Sequence, residues 1–184
     1  VGSYRCECFG GYHLIDNRTC VVDTESGSRI SPVLYFSTGN DIHGYDTRRK
    51  IIFPVLTLND YDPTTIIALD LSIADGKLYY SIFHNESLFS SIYEIPIDGQ
   101  IQEYPVANQK KKLLLHDIKS QIEGISIDWL AKHIYMTEAN RERIVVCHTE
   151  SLICTTLIEN LPSPRGIVAV RSRYRLYWTQ WHDN

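Results

Sequence analysis

Arg175-Leu176-Tyr177-Trp178-Thr179-Gln180 is the clearest of four similar stretches along the chain. The others are Val33-Leu34-Tyr35-Phe36-Ser37-Thr38, Lys77-Leu78-Tyr79-Tyr80-Ser81 and His133-Ile134-Tyr135-Met136-Thr137-Glu138. Each gathers aliphatic and aromatic residues around a tyrosine and has a hydroxyl side chain two residues after it (Ser37, Ser81, Thr137, Thr179), the composition of a short packed strand. Ahead of the last three lies a second repeated strand: Ile67-Ala68-Leu69-Asp70, Gly124-Ile125-Ser126-Ile127-Asp128 and Gly166-Ile167-Val168-Ala169-Val170. Turns such as Asp75-Gly76 and Ala131-Lys132 separate the two strands. A third strand follows, Ile92-Tyr93-Glu94-Ile95 or Arg143-Ile144-Val145-Val146, and then a fourth, Thr155-Thr156-Leu157-Ile158. Four short antiparallel strands every ~42 to 45 residues are the signature of a propeller blade.

Composition agrees. The chain has 184 residues, with 12 Tyr and 1 Met, and its Ile, Val, Thr and Tyr fall in short runs bounded by Gly, Asn, Asp and Pro. No window keeps a convincing helical period; Leu113 to Ile122 comes nearest and is too short, so the fold reads as all-β. The net charge of -4 excludes a strongly basic nucleic-acid binder. No apolar run approaches the ~20 residues of a membrane helix. The chain begins inside a motif at Val1 and so reads as a piece of something longer.

Leu176-Tyr177-Trp178-Thr179, preceded by Pro164-Arg165-Gly166-Ile167, resembles the Y-W-T-D repeat of the low-density-lipoprotein receptor family. Gly124-Ile125-Ser126-Ile127-Asp128-Trp129 through Tyr135, with Arg143-Ile144 after it, resembles a second repeat. Gly2-Ser3-Tyr4-Arg5-Cys6-Glu7-Cys8, then Gly10-Gly11-Tyr12 and Cys20, resemble the second half of an epidermal-growth-factor-like module. The resemblance implies two units: residues 1–21, the C-terminal half of that module, and residues 30–184, an incomplete six-bladed propeller of about three and a half blades. Its repeats lie near 33–76, 77–132, 133–174 and 175–184. Tyr35, Tyr79, Tyr135, Tyr177, Trp178 and Thr179 become structural motif positions. The fourth motif residue, Asp, is missing from every repeat, and only Glu138 keeps a carboxylate there. The polar ladder that this Asp supports between blades must therefore be partly replaced or missing.

The resemblance also implies that Cys8 pairs with Cys20 and that Cys6 pairs with a cysteine upstream of Val1. A zinc-binding trio is the competing reading, and its spacing leaves it without a fourth ligand. Cys147 and Cys154 flank a six-residue segment between two strands, as a bridge across a hairpin neck or as two buried thiols. The oxidising context favours the bridge. Asn17-Arg18-Thr19 and Asn85-Glu86-Ser87 are N-glycosylation sequons in loops.

No nucleophile elbow, zinc-protease helix motif or phosphate loop is present, which argues against an enzyme. His116-Asp117 and His182-Asp183 are poor acid–base dyads if they lie on strands, where neighbours point to opposite faces. No cofactor is evident; Glu7 and Asp16 alone make no calcium site, and calcium binding by a complete module is left open. The resemblance implies the ectodomain of an endocytic or signalling receptor on the extracellular side of the plasma membrane. Its partners would be extracellular protein ligands and neighbouring modules of the same chain, with any membrane span outside these residues. Seven histidines (His13, His43, His84, His116, His133, His148, His182) make an acid response chemically available. Lys110-Lys111-Lys112 reads as a solvated loop or a contact for an anionic partner, and Trp178 as the repeat's own packing residue beside an unassigned Trp181. A secreted matrix scaffold or a growth-factor precursor would carry the same propeller.

Overall fold

The computed structural model describes residues 12–16, 19–22, 33–58, 63–97, 111–170 and 173–181. Its first element is an antiparallel hairpin of β1 (Tyr12–Ile15) and β2 (Thr19–Val22). Four antiparallel sheets follow in chain order. The first joins β3 (Val33–Ser37), β4 (Asp41–Asp46) and β5 (Ile51–Thr57). The second joins β6 (Thr64–Ser72), β7 (Lys77–His84), β8 (Phe89–Pro96) and β9 (Lys112–Ile118). The third joins β10 (Ile122–Asp128), β11 (His133–Glu138), β12 (Arg143–His148) and β13 (Cys154–Ile158). The fourth pairs β14 (Pro164–Val170) with β15 (Arg175–Gln180). Within each sheet, strand order equals chain order. No α-helix occurs among the described residues, and the segment nearest to a helical period is β9, a turn and the start of β10.

The repeat survives in fine geometry. β6, β10 and β14 each slip register near their start, between Ile66 and Leu69, Ile122 and Gly124, and Pro164 and Ile167. Tyr79, Tyr135 and Tyr177 then stand opposite Asp70, Ser126 and Val168. The turn before each tyrosine strand places one residue in the left-handed region: Gly76 at φ 59°, Lys132 at 56° and Tyr174 at 51°. Only the first is a glycine, so the turn geometry overrides the steric preference at the other two.

Burial follows from stacking. β10 lies beside both β6 and β14, and β3 lies beside β6, so the second and third sheets are each covered on both faces. Leu78 to Ile82 in β7 are all buried as a result, without alternation. Leu78, Tyr80 and Ile82 join Ile42, Phe53 and Ile66 in a core between the first two sheets. Tyr79 joins Ile92, Ile125, Ile134 and Met136 in the core between the second and third. Burial, followed by the negative field of Glu94 and Asp75, pushes the Tyr79 phenol well above its ordinary range. On β15, the same motif position leaves Tyr177 45% exposed.

Cys147 and Cys154 are bridged. They face each other across β12 and β13 with Cα atoms 4.0 Å apart, next to the pair closed by the His148 N–H on the Ile153 carbonyl. That places them at the close, non-hydrogen-bonded position of the ladder. Replacing both by alanine frees a seven-residue separation in the unfolded chain and costs about 2 kcal/mol. The urea midpoint of the double variant reads this directly; an unchanged midpoint would show the hairpin is held by its ladder alone. Cys6, Cys8, Asn17 and the side chain of Cys20 lie outside the described residues.

Candidate functional site

The missing motif carboxylates are replaced, and the replacement repeats. Asp70 Oδ2 accepts the N–H of Ile127 in the next sheet at 2.7 Å. One sheet further on, Ser126 Oγ accepts the N–H of Ala169 at 3.0 Å. Asp70 and Ser126 occupy the same register position, and so do Ile127 and Ala169. The motif hydroxyls add a second rung: Ser81 Oγ donates to Ile122 O at 3.3 Å, and Thr137 Oγ1 to Arg165 O at 2.6 Å. Ser90 adds a third contact, donating to Ser120 O at 2.8 Å and accepting from Ile122 N at 3.2 Å. Sequence reasoning missed Asp70 and Ser126 as rungs, although their recurrence in the strand ahead of each tyrosine was the available signal. Thr179 holds the corresponding position on β15, exposed.

Glu138 does not take part in this ladder. It is 3% exposed and turns into its own sheet, where Arg143 grips it through Nε at 2.8 Å and Nη2 at 3.2 Å. This pairing raises the Arg143 guanidinium above its ordinary range.

Two sets of turns form opposite rims of the sheet stack. One rim carries the turns that precede β7, β11 and β15 together with the turn from β12 to β13. It exposes Ile73, Leu130, Ile153 and Tyr174, each at least 73% accessible. Between the third and fourth sheets this rim opens into a cleft of about 480 Å³ lined by Leu130, Tyr135, Leu157, Ala169, Tyr174 and Leu176. An exposed apolar set with polar edges is the usual form of a protein-recognition surface. The other rim carries Glu123, whose carboxylate meets Arg165 Nη1 at 2.6 Å. The Arg165 guanidinium lies 4.8 Å from the ring of Trp181. Trp181 thus has a cation-π partner, while the half-buried Trp178 donates from Nε1 to Gln180 at 3.3 Å.

The histidines are dispersed. His43 packs on Phe36, and His84 on Phe89. His133 and His148 stand directly opposite each other on β11 and β12, ring centroids 6.0 Å apart. His148 Nδ1 accepts from the N–H groups of Glu150 and Ser151 at 3.3 and 3.2 Å and shapes the turn. Strand alternation does not separate His116 and Asp117: they approach to 2.8 Å because Asp117, at an irregularity within β9, adopts φ 55°. Both are about two-thirds exposed, as in a solvated surface pair. Lys111 lies over the Tyr93 ring at 5.4 Å, and Lys112 reaches Glu94 at 3.5 Å, so two of the three lysines have local partners. His182, Asp183, Lys110 and Glu7 lie outside the described residues. Among the described residues, no helix is long and apolar enough to cross a membrane, and no three acidic, His or Cys side chains are grouped to hold a metal.

No family model matches the chain. It is 27% identical over 186 residues to the vitellogenin receptor Yl of Drosophila melanogaster, an alignment covering 99% of this chain and 9% of that protein. It is 26% identical over 182 residues to low-density lipoprotein receptor-related protein 8 of Gallus gallus, covering 78% of this chain and 18% of that protein. The chain thus spans less than a fifth of the length of the curated relatives it matches. Among solved structures, a chain in the crystal structure of a nidogen/laminin complex superposes with a TM-score of 0.67 at 22% identity, covering 81% of this chain and 53% of that one. That likeness establishes the fold: these sheets are stacked as in a Y-W-T-D β-propeller. The Drosophila relative is named as a receptor, and the Gallus relative as a receptor-related protein.

Proposed function

We propose that this chain, an extracellular interaction module homologous to receptors of the low-density-lipoprotein receptor family, serves a cell-surface receptor in ligand uptake. The observation that carries the reading is the apolar rim of Ile73, Leu130, Ile153 and Tyr174 on a rigid stack of sheets in a receptor homologue. Rigid scaffolds that present turn residues at one rim suit non-covalent protein recognition. The partner is an extracellular protein or a neighbouring module, and a lipoprotein of the vitellogenin type is the first to try, since the Drosophila relative is named for it.

Acid release is the finer part of the proposal, and His133 and His148 support it. Imidazole gains its proton between about pH 7 and 5. A proton on Nδ1 of His148 removes both acceptor bonds that hold the 149–151 turn. A second cation on His133, whose ring centroid lies 6.0 Å away, adds repulsion at the same rim. The turn loosens, and Ile153 shifts with it.

The test uses the full-length receptor and purified vitellogenin at about pH 7.4 and about pH 5.5. The expected result is roughly tenfold weaker binding in acid, about 1.4 kcal/mol, much of it abolished by His133→Gln with His148→Gln. Failure to bind vitellogenin at either pH value counts against that ligand. Binding that is unchanged between the two pH values removes the acid step. The likeness to the nidogen propeller supports a second reading, a secreted matrix scaffold.

A further inference from the structure

We propose that Asn85 carries an N-linked glycan and that the ring of Phe83 is the platform on which its first sugar rests. The inference takes the extracellular reading as its starting point. Asn85 opens the exposed four-residue turn 85–88 between β7 and β8. Its backbone is pinned by the N–H bond to Pro63 O at 3.0 Å, and the turn is closed by Leu88 N on His84 O at 2.8 Å. Its side chain is left outward, with a marginal contact from Nδ2 to Thr65 Oγ1 at 3.4 Å. Ser87 supplies the hydroxyl two residues on, itself exposed. Backbone order and side-chain freedom coincide at this acceptor.

The platform follows from strand geometry. Asn85 directly follows β7, and its N–H on Pro63 O carries the pairing one step past His84, so Phe83 and Asn85 keep the i, i+2 relation of a shared face. Thr65 is the cross-strand partner of Phe83 and also the residue touched by the Asn85 amide. The three side chains therefore occupy one face of the sheet at the start of the turn. Phe83 is half-buried there, so part of its side chain stays accessible on the face that carries Asn85. The C–H face of a pyranose packs on such a ring for the same reason that other apolar groups do.

The chemistry balances as a group transfer. The Asn85 amide nitrogen forms a bond to C1 of the N-acetylglucosamine of a polyprenyl-diphosphate-linked oligosaccharide. The C1–O bond to the diphosphate breaks, the lipid diphosphate leaves, and one amide proton passes to a base of the transferase. No electron transfer is involved. The glycan would cover the β7–β8 turn and leave the rim of Ile73, Leu130 and Ile153, at the other ends of the strands, open to protein.

The test is glycopeptide mapping of the full chain secreted from cultured animal cells, with peptide N-glycosidase in ¹⁸O water marking each occupied Asn as Asp. Asn85 is expected to be occupied, and Ser87→Ala to abolish it. From the native protein, the glycosidase is expected to strip Asn85 at least about threefold faster in Phe83→Ala than in the parent, a difference that vanishes after denaturation; Phe83→Trp restores slow removal. An unmodified Asn85 in product with the Cys147–Cys154 bridge formed overturns the site. Equal native rates for Phe83→Ala and the parent overturn the platform. Free thiols at Cys147 and Cys154 in that product would count against the extracellular reading instead.

Discussion

Replacing Gly124 by valine unseats the third sheet from the fourth and costs at least about 3 kcal/mol, while Gly166→Ala costs less than about 1 kcal/mol. The two glycines hold the same place in successive repeats, each at the start of the strand ahead of the tyrosine. A Cβ on Gly124 would stand 2.5 Å from the backbone carbonyl of Arg165 and 3.0 Å from the N–H nitrogen of Ile167. Both are main-chain atoms of the next sheet, and neither can rotate away. Separation of the strands would also stretch the bond from Thr137 Oγ1 to that same Arg165 carbonyl and the bond from Ala169 N to Ser126. A Cβ on Gly166 meets only Thr179 Oγ1, at 3.6 Å, an ordinary contact. Urea denaturation of the two variants measures the contrast. Equal midpoints would mean that the close approach at Gly124 does not hold the sheets in register.

Glu138→Ala is expected to cost about 2–3 kcal/mol, and Glu138→Gln roughly half of that. The carboxylate is buried, and its loss leaves the Arg143 guanidinium, 27% exposed, with Thr156 Oγ1 at 3.1 Å as its remaining close partner of those described. Arg141 Nη1, 3.7 Å from the same carboxylate, loses its weaker ion pair as well. The fork geometry makes the loss larger than for an exposed ion pair. Glutamine keeps one acceptor but gives up the charge, hence the intermediate value. Thermal melts at low and high salt check both: the destabilisation should persist in salt, since a buried pair is weakly screened. A midpoint for Glu138→Ala equal to the parent would show that water replaces the carboxylate at no cost.

Much of this architecture was readable in one dimension. The tyrosine stretches and the strand ahead of each are local patterns, and the register of β6 on β7, β10 on β11 and β14 on β15 follows them. The hairpin neck at Cys147 and Cys154 was likewise visible, because two facing strands and a short connection place such residues opposite each other. His116 and Asp117 were misjudged for a reason that sequence does not display: Asp117 adopts a positive φ, which breaks the alternation inside β9. The family-type carboxylate at Glu138 suggested a rung between sheets, yet it folds back onto Arg143 because β12 brings that cation to its own cross-strand position. Asp70 and Ser126 became rungs instead, one acidic and one neutral, because what the neighbouring N–H requires is an acceptor oxygen at that position and not a particular residue.

The sequence by itself determined that this chain is a run of short antiparallel strands repeated along its length, since strand period, turn residues and the recurring tyrosines are all local properties. Only the tertiary structure decided which face of each strand is covered. Tyr79 is 3% exposed and Tyr177 45% at one motif position, and Gly124 is crowded where Gly166 is not. The residues are alike and their neighbours are not: burial belongs to the sheet stacked against a residue, and that sheet comes from a distant part of the chain.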